Sequence, residues 1–288
     1  MKTKVKLQAG FTPQIRSRHP SHRVLRGTFG KFPVRSVVRL GSTTELLNDG
    51  KRRIEINTPK AIGNSASKLK MKQCFSIAGV KTANWYYTWL PKFKDGHNNG
   101  IQFMMTKLDK TGETTITPHS INELPFPIVA KSLFGSRGRG NTKLDTKEQL
   151  ASWLKGKDTS GYIFEEYFDG VREYRFHIST LGVFLTWRKL RRNDTPQNER
   201  WFFNNHNCNW VSENHELYNK PSTYKQIGDE CVKALKAVGL DIGGCDVRVN
   251  KDGKFVIIEI NSACSLAEVT ATAYKNELAK LINKKINE

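Results

Sequence analysis

In the stretch KFVIIEIN, residues 254–261, a carboxylate and a carboxamide two positions apart, Glu259 and Asn261, interrupt an otherwise apolar run. Extended backbone alternates its side chains between two faces. A strand here therefore puts Phe255, Ile257, Glu259 and Asn261 on one face and Val256, Ile258 and Ile260 on the other. Glu259 and Asn261 then stand about 7 Å apart on one surface. The preceding run, GGCDVRVN, carries Asp246 and Arg248 on one of its own faces, and the short turn NKDGK makes the two strands antiparallel neighbours. Asp246, Glu259 and Asn261 can then converge as hard oxygen donors, the set that Mg²⁺ prefers when it also holds phosphate oxygens. The plainer alternative is a charged strand face in solvent. It is disfavoured because a Glu in so apolar a strand needs a partner.

A second cluster lies in YIFEEYFDGVREYRFHI, where Glu173, Arg175 and His177 alternate with Tyr174, Phe176 and Ile178. After the next turn, WRKLRR brings Trp187, Lys189 and Arg191 onto one face, offset from Arg188 and Arg192. Cations on adjacent strands facing oxygen ligands suit a site that handles several negative oxygens, because each offsets charge that develops during transfer. Taken alone, the basic strand reads more simply as a solvated or nucleic-acid-facing surface, and His177 as structural. A third feature is GSRGRGNT, residues 135–142, which nearly matches the phosphate-binding pattern G-x-x-x-x-G-K-[ST] but has Asn141 where the lysine belongs. Backbone N–H groups alone do not supply the cation that such a loop places on the β and γ phosphates. A lysine does stand upstream, Lys131, near the end of the apolar run FPIVAKSL.

Strands must position these groups. The aromatic and β-branched runs IQFMMTKL, FPIVAKSL, YIFEEYF, YRFHIST, GVFLTWRKL, GGCDVRVN and KFVIIEIN read as strands. Between them, SKLKMKQCFSIAGV, TKEQLASWLKG, TYKQIGDECVKALKAVGL and LAEVTATAYKNELAKLINKK read as helices. In the first of these, Leu69, Cys74, Ile77 and Ala78 mark the expected apolar side, and Gly79 ends the helix. Strands followed by helices in several blocks argue a mixed α/β architecture. Residues 1–20 are basic, poor in aromatics and carry two prolines, so a loose arm is expected there.

Composition narrows the function. With 288 residues the chain holds one large domain or two to three small ones. Lys and Arg number 47 against 27 Asp and Glu, a formal charge of +20, which favours nucleic acid, an acidic polymer or anionic substrates. No apolar run is long enough to span a membrane, and the N-terminus lacks the apolar core of a signal peptide, so a soluble, cytoplasmic protein is expected. The five cysteines are scattered without a C-x-x-C pair, which suggests reduced thiols rather than a disulfide frame or a zinc site.

The motifs RLGST, NTPKAI, SKLKMKQCFSIAGV, FPIVAKSLFGSRGRG, FEEYFDGVREYRFHI, KLRR, FFNNHNCNW, GLDIGGCDVRV and IEINSACSL follow one another in the chain between residues 39 and 266, within a resemblance that runs from about residue 39 to residue 281. In this order they resemble the ATP-grasp carboxylate-amine ligases, especially the branch of the ribosomal-protein glutamate ligases and related proteins of phages and bacteria. That resemblance implies an α+β ATP-grasp fold, with two α+β subdomains clasping ATP, preceded by a small α/β pre-ATP-grasp domain. Its expected divisions are a basic arm over 1–20, the preceding domain over 21–95, a lid subdomain with the glycine loop over 96–164, and a C-terminal subdomain with the metal site over 165–288. If the protein is phage-encoded, its location is the host cytoplasm.

The resemblance also assigns roles. GSRGRGNT, with Gly135, Ser136, Gly138 and Gly140, becomes a lid that joins two antiparallel strands and closes over the triphosphate. Lys68 and Lys131 would hold phosphates, Glu165, Glu166 and Tyr167 would form the adenine hinge largely through main chain, and Glu173 would bind the ribose. Asp246, Glu259 and Asn261 would hold two Mg²⁺, or Mn²⁺, while Arg175, Lys189 and Arg191 would steady the γ-phosphate or an acyl phosphate. The implied activity is ATP-dependent amide or peptide bond formation through an acyl phosphate, with ADP and phosphate released. Its acceptor would be an acidic small molecule, a peptide or a protein tail. Two departures stand out. Residues 261–266, NSACSL, lack the Pro and Gly the family usually has there, which points to altered acceptor specificity, and Ser67 replaces the usual Asp or Asn before the lysine, a capping role serine can fill. A basic nucleic-acid-binding or virion-associated protein on the same fold, and an ATP-grasp kinase, remain as alternatives.

Overall fold

The computed structural model describes residues 10–17, 19–46, 49–89, 101–108, 111, 113–133, 138, 140–204 and 206–288. Its first sheet is parallel, in the order β1 (Gln14–Ser17), β2 (Arg35–Leu40) and β3 (Arg53–Ile56). The expected loose arm is thus corrected over 14–17, because Ile15 is buried against Leu25, Val38 and Leu40. Burying one such side chain contributes roughly 1.5–3 kcal/mol, enough to hold a short strand on a sheet edge.

Two helices follow, α1 (Pro59–Ala66), capped by Thr58, and α2 (Lys68–Ile77), whose cap Ser67 accepts the N–H of Lys70. The buried side of α2 is Met71, Lys72 and Phe75, whereas Ile77 is 56% exposed. This differs from the expected stripe of Leu69, Cys74, Ile77 and Ala78. The helix is weakly amphipathic, so its neighbours choose the buried face, and Lys72 follows because Glu165 and the Thr82 hydroxyl receive its ammonium.

The second sheet has six antiparallel-paired strands: β4 (Trp85–Trp89), β5 (Gln102–Leu108), β6 (Thr114–His119), β7 (Ile128–Ser132), β8 (Thr142–Leu144) and β9 (Tyr162–Glu166). Their order is β6-β5-β4-β9-β7-β8, and α3 (Lys147–Leu154) covers a core of Tyr86, Phe103, Ile128, Leu144, Leu150 and Phe164. β7 and β8 pair antiparallel, so the glycine-rich stretch connects two neighbouring strands. β4 belongs to this sheet although it precedes residue 96.

The third sheet, also antiparallel, has the order β12 (Cys208–Ser212), β11 (Gly182–Arg191), β10 (Arg172–Ser179), β13 (Ile242–Val249) and β14 (Phe255–Asn261). One face packs against α4 (Tyr224–Val238), α1 and α2, through Tyr174, Phe176, Cys245 and Val247. The opposite face is shared. His177 of β10 and Phe184 of β11 pack on Tyr274 of α5 (Glu268–Asn287), which also covers the first sheet, while Glu173, Arg175, Lys189 and Asp246 line an open cleft. Cys74, Cys208, Cys231, Cys245 and Cys264 are all free thiols.

Candidate active site

The cleft, about 600 Å³, lies between the second and third sheets and takes its walls from both, from the start of α2 and from three loops. Its oxygen ligands depend on an irregularity that strict alternation misses. Val247 pairs with Ile257 but Asp246 pairs with Glu259, so Ile258 is an extra residue on β14, a β-bulge. Without it, Glu259 would share a face with Ile257, which is fully buried in the core. The bulge re-aims the strand, so that Ile258, Glu259 and Asn261 all line the cleft while Ile257 stays in the core and Ile260 is shared between core and cleft wall. The expected common face of Phe255, Ile257, Glu259 and Asn261 is corrected accordingly. Asn261 Nδ2 donates to Glu259 Oε1 at 2.8 Å.

Three buried carboxylates each face two cations. Glu165 meets Lys131 at 2.8 Å and Lys72 at 3.3 Å; Glu173 meets Lys189 at 2.5 Å and Arg248 at 2.9 Å. Asp246 accepts two hydrogen bonds from Arg175, at 2.6 and 2.8 Å, and lies 3.5 Å from Lys189, which thus bridges two acids. Burial alone would raise the Asp246 carboxyl, but Arg175 and Lys189 outweigh it and hold its pKa at about 2. Glu165 shows the same balance, with Lys131 and Lys72 holding its pKa below the ordinary carboxylate value against burial. Burial would lower Lys189, and Glu173 and Asp246 overcome it to raise its pKa. The result is a wall of buried, mutually paired acids and cations along one side of the cleft.

Lys68 projects from the first turn of α2, donates to the Ser132 carbonyl at 2.9 Å and so reaches β7. Burial lowers its pKa, opposed by Glu259. Glu166 and Tyr167 line the cleft, but their backbone N–H groups donate to Asn84 and Pro127 carbonyls, and Phe168 extends the lining one residue further. Of the glycine loop, Gly138 lines the cleft and Gly140 lies beside Ser132; Gly135 and Ser136 lie outside the described residues. Arg191 is not part of the lining: its guanidinium stacks on Phe203 at 4.2 Å. His177 hydrogen-bonds the Tyr274 hydroxyl, and burial first, then Arg175, push its pKa down to about 3, so it is a neutral structural group.

Several contributors were not legible in advance. Lys72 stands opposite the expected apolar stripe of Leu69, Cys74, Ile77 and Ala78, where the pattern calls for a solvated lysine. Arg248 had been placed on the face of Asp246 without a partner, and it reaches Glu173 only because Gly170 leaves room: a Cβ there would come within 1.9 Å of Arg248 Cγ. Trp210 of β12 lies under the cations of Arg175 and Lys189 at 4.9 and 5.0 Å. Trp201, Phe202 and Phe203 also line the cleft, and a Cβ on Gly138 would lie 3.6 Å from the Phe202 ring, so the aromatic loop and the glycine loop meet.

Among the described residues no cluster of three or more His, Cys, Asp or Glu stands ready for a metal. The oxygens available are those of Glu259 and Asn261 at the cleft surface. Asp246 lies opposite Glu259 in register, but both its oxygens are engaged by Arg175. This donor set suits a hard divalent cation, with Asp246 joining only as it exchanges part of its contact with Arg175.

No protein-family model and no curated protein matches the sequence. Solved structures do. D-alanine–D-alanine ligase from Bacillus anthracis complexed with ATP is similar over 96% of both chains, with a TM-score of 0.58 at 15% identity. N5-carboxyaminoimidazole synthetase from Staphylococcus aureus complexed with ADP matches over 80% of this chain with a TM-score of 0.53 at 14% identity. The chain spans 54% of that synthetase and 63% of the ATP-grasp ligase PsnB. No helix among the described residues is long and apolar enough to cross a membrane. With mixed α/β layers matching a ligase end to end, the chain has the ATP-grasp fold.

Proposed function

We propose that the cleft binds ATP with magnesium and that the protein joins a carboxylate to an amine through an acyl phosphate, releasing ADP and phosphate. The observation that carries this reading is the convergence on one cleft of Lys68, Lys131, three doubly paired carboxylates and the Glu259–Asn261 pair. Structural neighbours with ATP or ADP bound support it. The small parallel sheet of residues 14–56 takes the place of the preceding domain.

Lys68 and Lys131 hold phosphate oxygens beneath the glycine loop, Gly135, Ser136, Gly138 and Gly140 supplying main-chain donors. Glu165 fixes Lys131, the segment from Glu165 to Tyr167 and on to Phe168 flanks the base, and Glu173 accepts from the ribose hydroxyls. Arg175 and Lys189, held on Asp246 and Glu173, offset the charge of the phosphoryl group as it moves. Arg191 acts at one remove, packing Phe203 against the cleft. Glu259, Asn261 and Asp246 would hold magnesium, which when bound neutralises phosphate oxygens. No protein nucleophile is needed, since positioning and charge stabilisation do the chemistry. With Gly138 and Phe202 close together on the cleft's lining, the two loops have a way to exclude water from a labile intermediate.

The net charge of +20 favours an acidic acceptor, such as a small acid, a peptide or a protein tail, and equally a second reading in which nucleic acid binds the same fold. Incubating the protein with ATP, Mg²⁺ and panels of acids and amines, with ADP followed by mass spectrometry, tests the ligase. ADP release that depends on an acid and is abolished by Glu259→Gln is expected. Full turnover by that variant would remove the metal assignment, and absence of ATP binding would remove the reading itself.

A further inference from the structure

The cleft is lined not only by the strands but by Ala263, Cys264 and Ser265, just after Asn261, and by His19 near the N-terminus. These two stretches are tied together. His22 Nε2 lies 2.7 Å from the Cys264 carbonyl, 242 residues away, and because a carbonyl only accepts, the imidazole donates there. His22 is buried, which lowers its pKa and keeps it neutral, and its Nδ1 meets the Ser17 hydroxyl. The Leu266 N–H donates to Ser21 Oγ at 3.0 Å. The short 3-10 turn Pro20–Leu25 thus fixes the loop that departs from the family pattern by lacking Pro and Gly.

His19 caps that turn, and the cap sets its tautomer. Its Nδ1 accepts the Ser21 N–H at 3.2 Å, a bond in which the backbone can only be donor. Ser21 Oγ, already accepting from Leu266, lies 2.8 Å from the same Nδ1 and gives it the hydroxyl proton. Neutral His19 therefore carries its ring proton on Nε2, for which the described residues supply no hydrogen-bond partner. The surrounding segment, 10–60, is rich in Arg and Lys and has only Glu45, Asp49 and Glu55 as acids.

We propose that His19 is an acceptor-binding residue that donates Nε2–H to a carboxylate oxygen of the substrate joined in the cleft, a role that rests on the ligase reading. With its Nδ1 lone pair committed to Ser21, His19 offers no acceptor to an ammonium group. It therefore selects the acid and is not the base that takes a proton from the attacking amine. The Ser21–Leu266 bond makes this selectivity a joint property of the N-terminal turn and the loop after Asn261.

The test uses the full chain with ¹⁵N-labelled histidine, the His19 signals being those lost in His19→Asn. NMR is expected to show the Nε2–H tautomer, and L-glutamate or triglutamate, added with Mg²⁺ and a non-hydrolysable ATP analogue, should shift the His19 Nε2 signal saturably. His19→Asn keeps a cap acceptor but loses the distant donor, so probe affinity should fall about tenfold or more. His19→Gln, whose amide extends further, should recover part of it. An Nδ1–H tautomer, no probe binding, or equal affinity in wild type and His19→Asn would overturn the proposal. Nucleotide binding is followed separately by calorimetry: its absence, with the Nε2–H tautomer and probe binding intact, would sink the ligase reading and leave the donor site standing.

Discussion

Replacing Asp246 by Asn separates the structural from the chemical work of the cleft. The carboxylate is 5% exposed and Arg175 19% exposed, so the pair belongs to the buried regime rather than the screened one. Removing one member of a buried pair leaves the other charge uncompensated, typically at 3–5 kcal/mol. Two features of this site place the loss at the lower end of that range. Lys189 keeps Glu173 at 2.5 Å, and Arg175 keeps the face of Trp210 at 4.9 Å, so only one cation is orphaned and it is partly cushioned. About 3 kcal/mol is expected, which for a chain of this size lowers Tm by roughly 6–12 °C. The assay is thermal unfolding of wild type, Asp246→Asn, Arg175→Met and the double variant. Removing both partners should cost less than the sum of the singles, because no buried charge is then left alone. ADP release should be lost in Asp246→Asn at temperatures where the variant is fully folded. A Tm within about 2 °C of wild type for the single variant would refute the buried pair and with it the electrostatic wall of the cleft.

Lys131→Ala should weaken ATP binding, measured by calorimetry, while Lys72 continues to pair with Glu165 at 3.3 Å and keeps the sheet intact. Unchanged affinity would show that the glycine loop is a plain turn. His177 titrates near 3 when folded and near 6.5 when unfolded, so the unfolded chain binds the extra proton between these values. Its contribution is complete above pH 6.5 and is lost as pH falls toward 3, with a slope of about 1.4 kcal/mol per pH unit. Urea melts at pH 4, 5 and 6 should show a steeper rise of stability with pH in wild type than in His177→Phe, by about that slope; equal slopes would refute the neutral buried state. If the excess positive charge serves an acidic acceptor, added salt should raise the KM for that acceptor more than the Kd for ATP. Tight, salt-sensitive binding of nucleic acid that survives Asp246→Asn, in the absence of ATP binding, would favour the second reading.

Much of this molecule was legible in its order of residues. The long elements follow from period and caps: GVFLTWRKL and KFVIIEIN could only be strands, and TYKQIGDECVKALKAVGL closes on a glycine at φ +82°. The facing of Glu173, Arg175 and Lys189 was also readable, since period two is rigid within one regular strand. Period fails where a strand bulges, and Ile258 is invisible as a bulge because nothing in VIIE distinguishes the extra residue. Only pairing with β13 decides it, and that decision turns Glu259 from the core to the cleft. Tertiary contact likewise chose the buried side of α2, where Lys72 is stable only because Glu165 arrives from another sheet. It also folded 14–17 into a strand and brought His22 against Cys264 and Ser21 against Leu266, because local propensity carries no information about partners some 240 residues away. The sequence determined which groups can do chemistry; the packing of three sheets decided which of them face each other, because pairing between buried charges depends on ångström distances that only the fold sets.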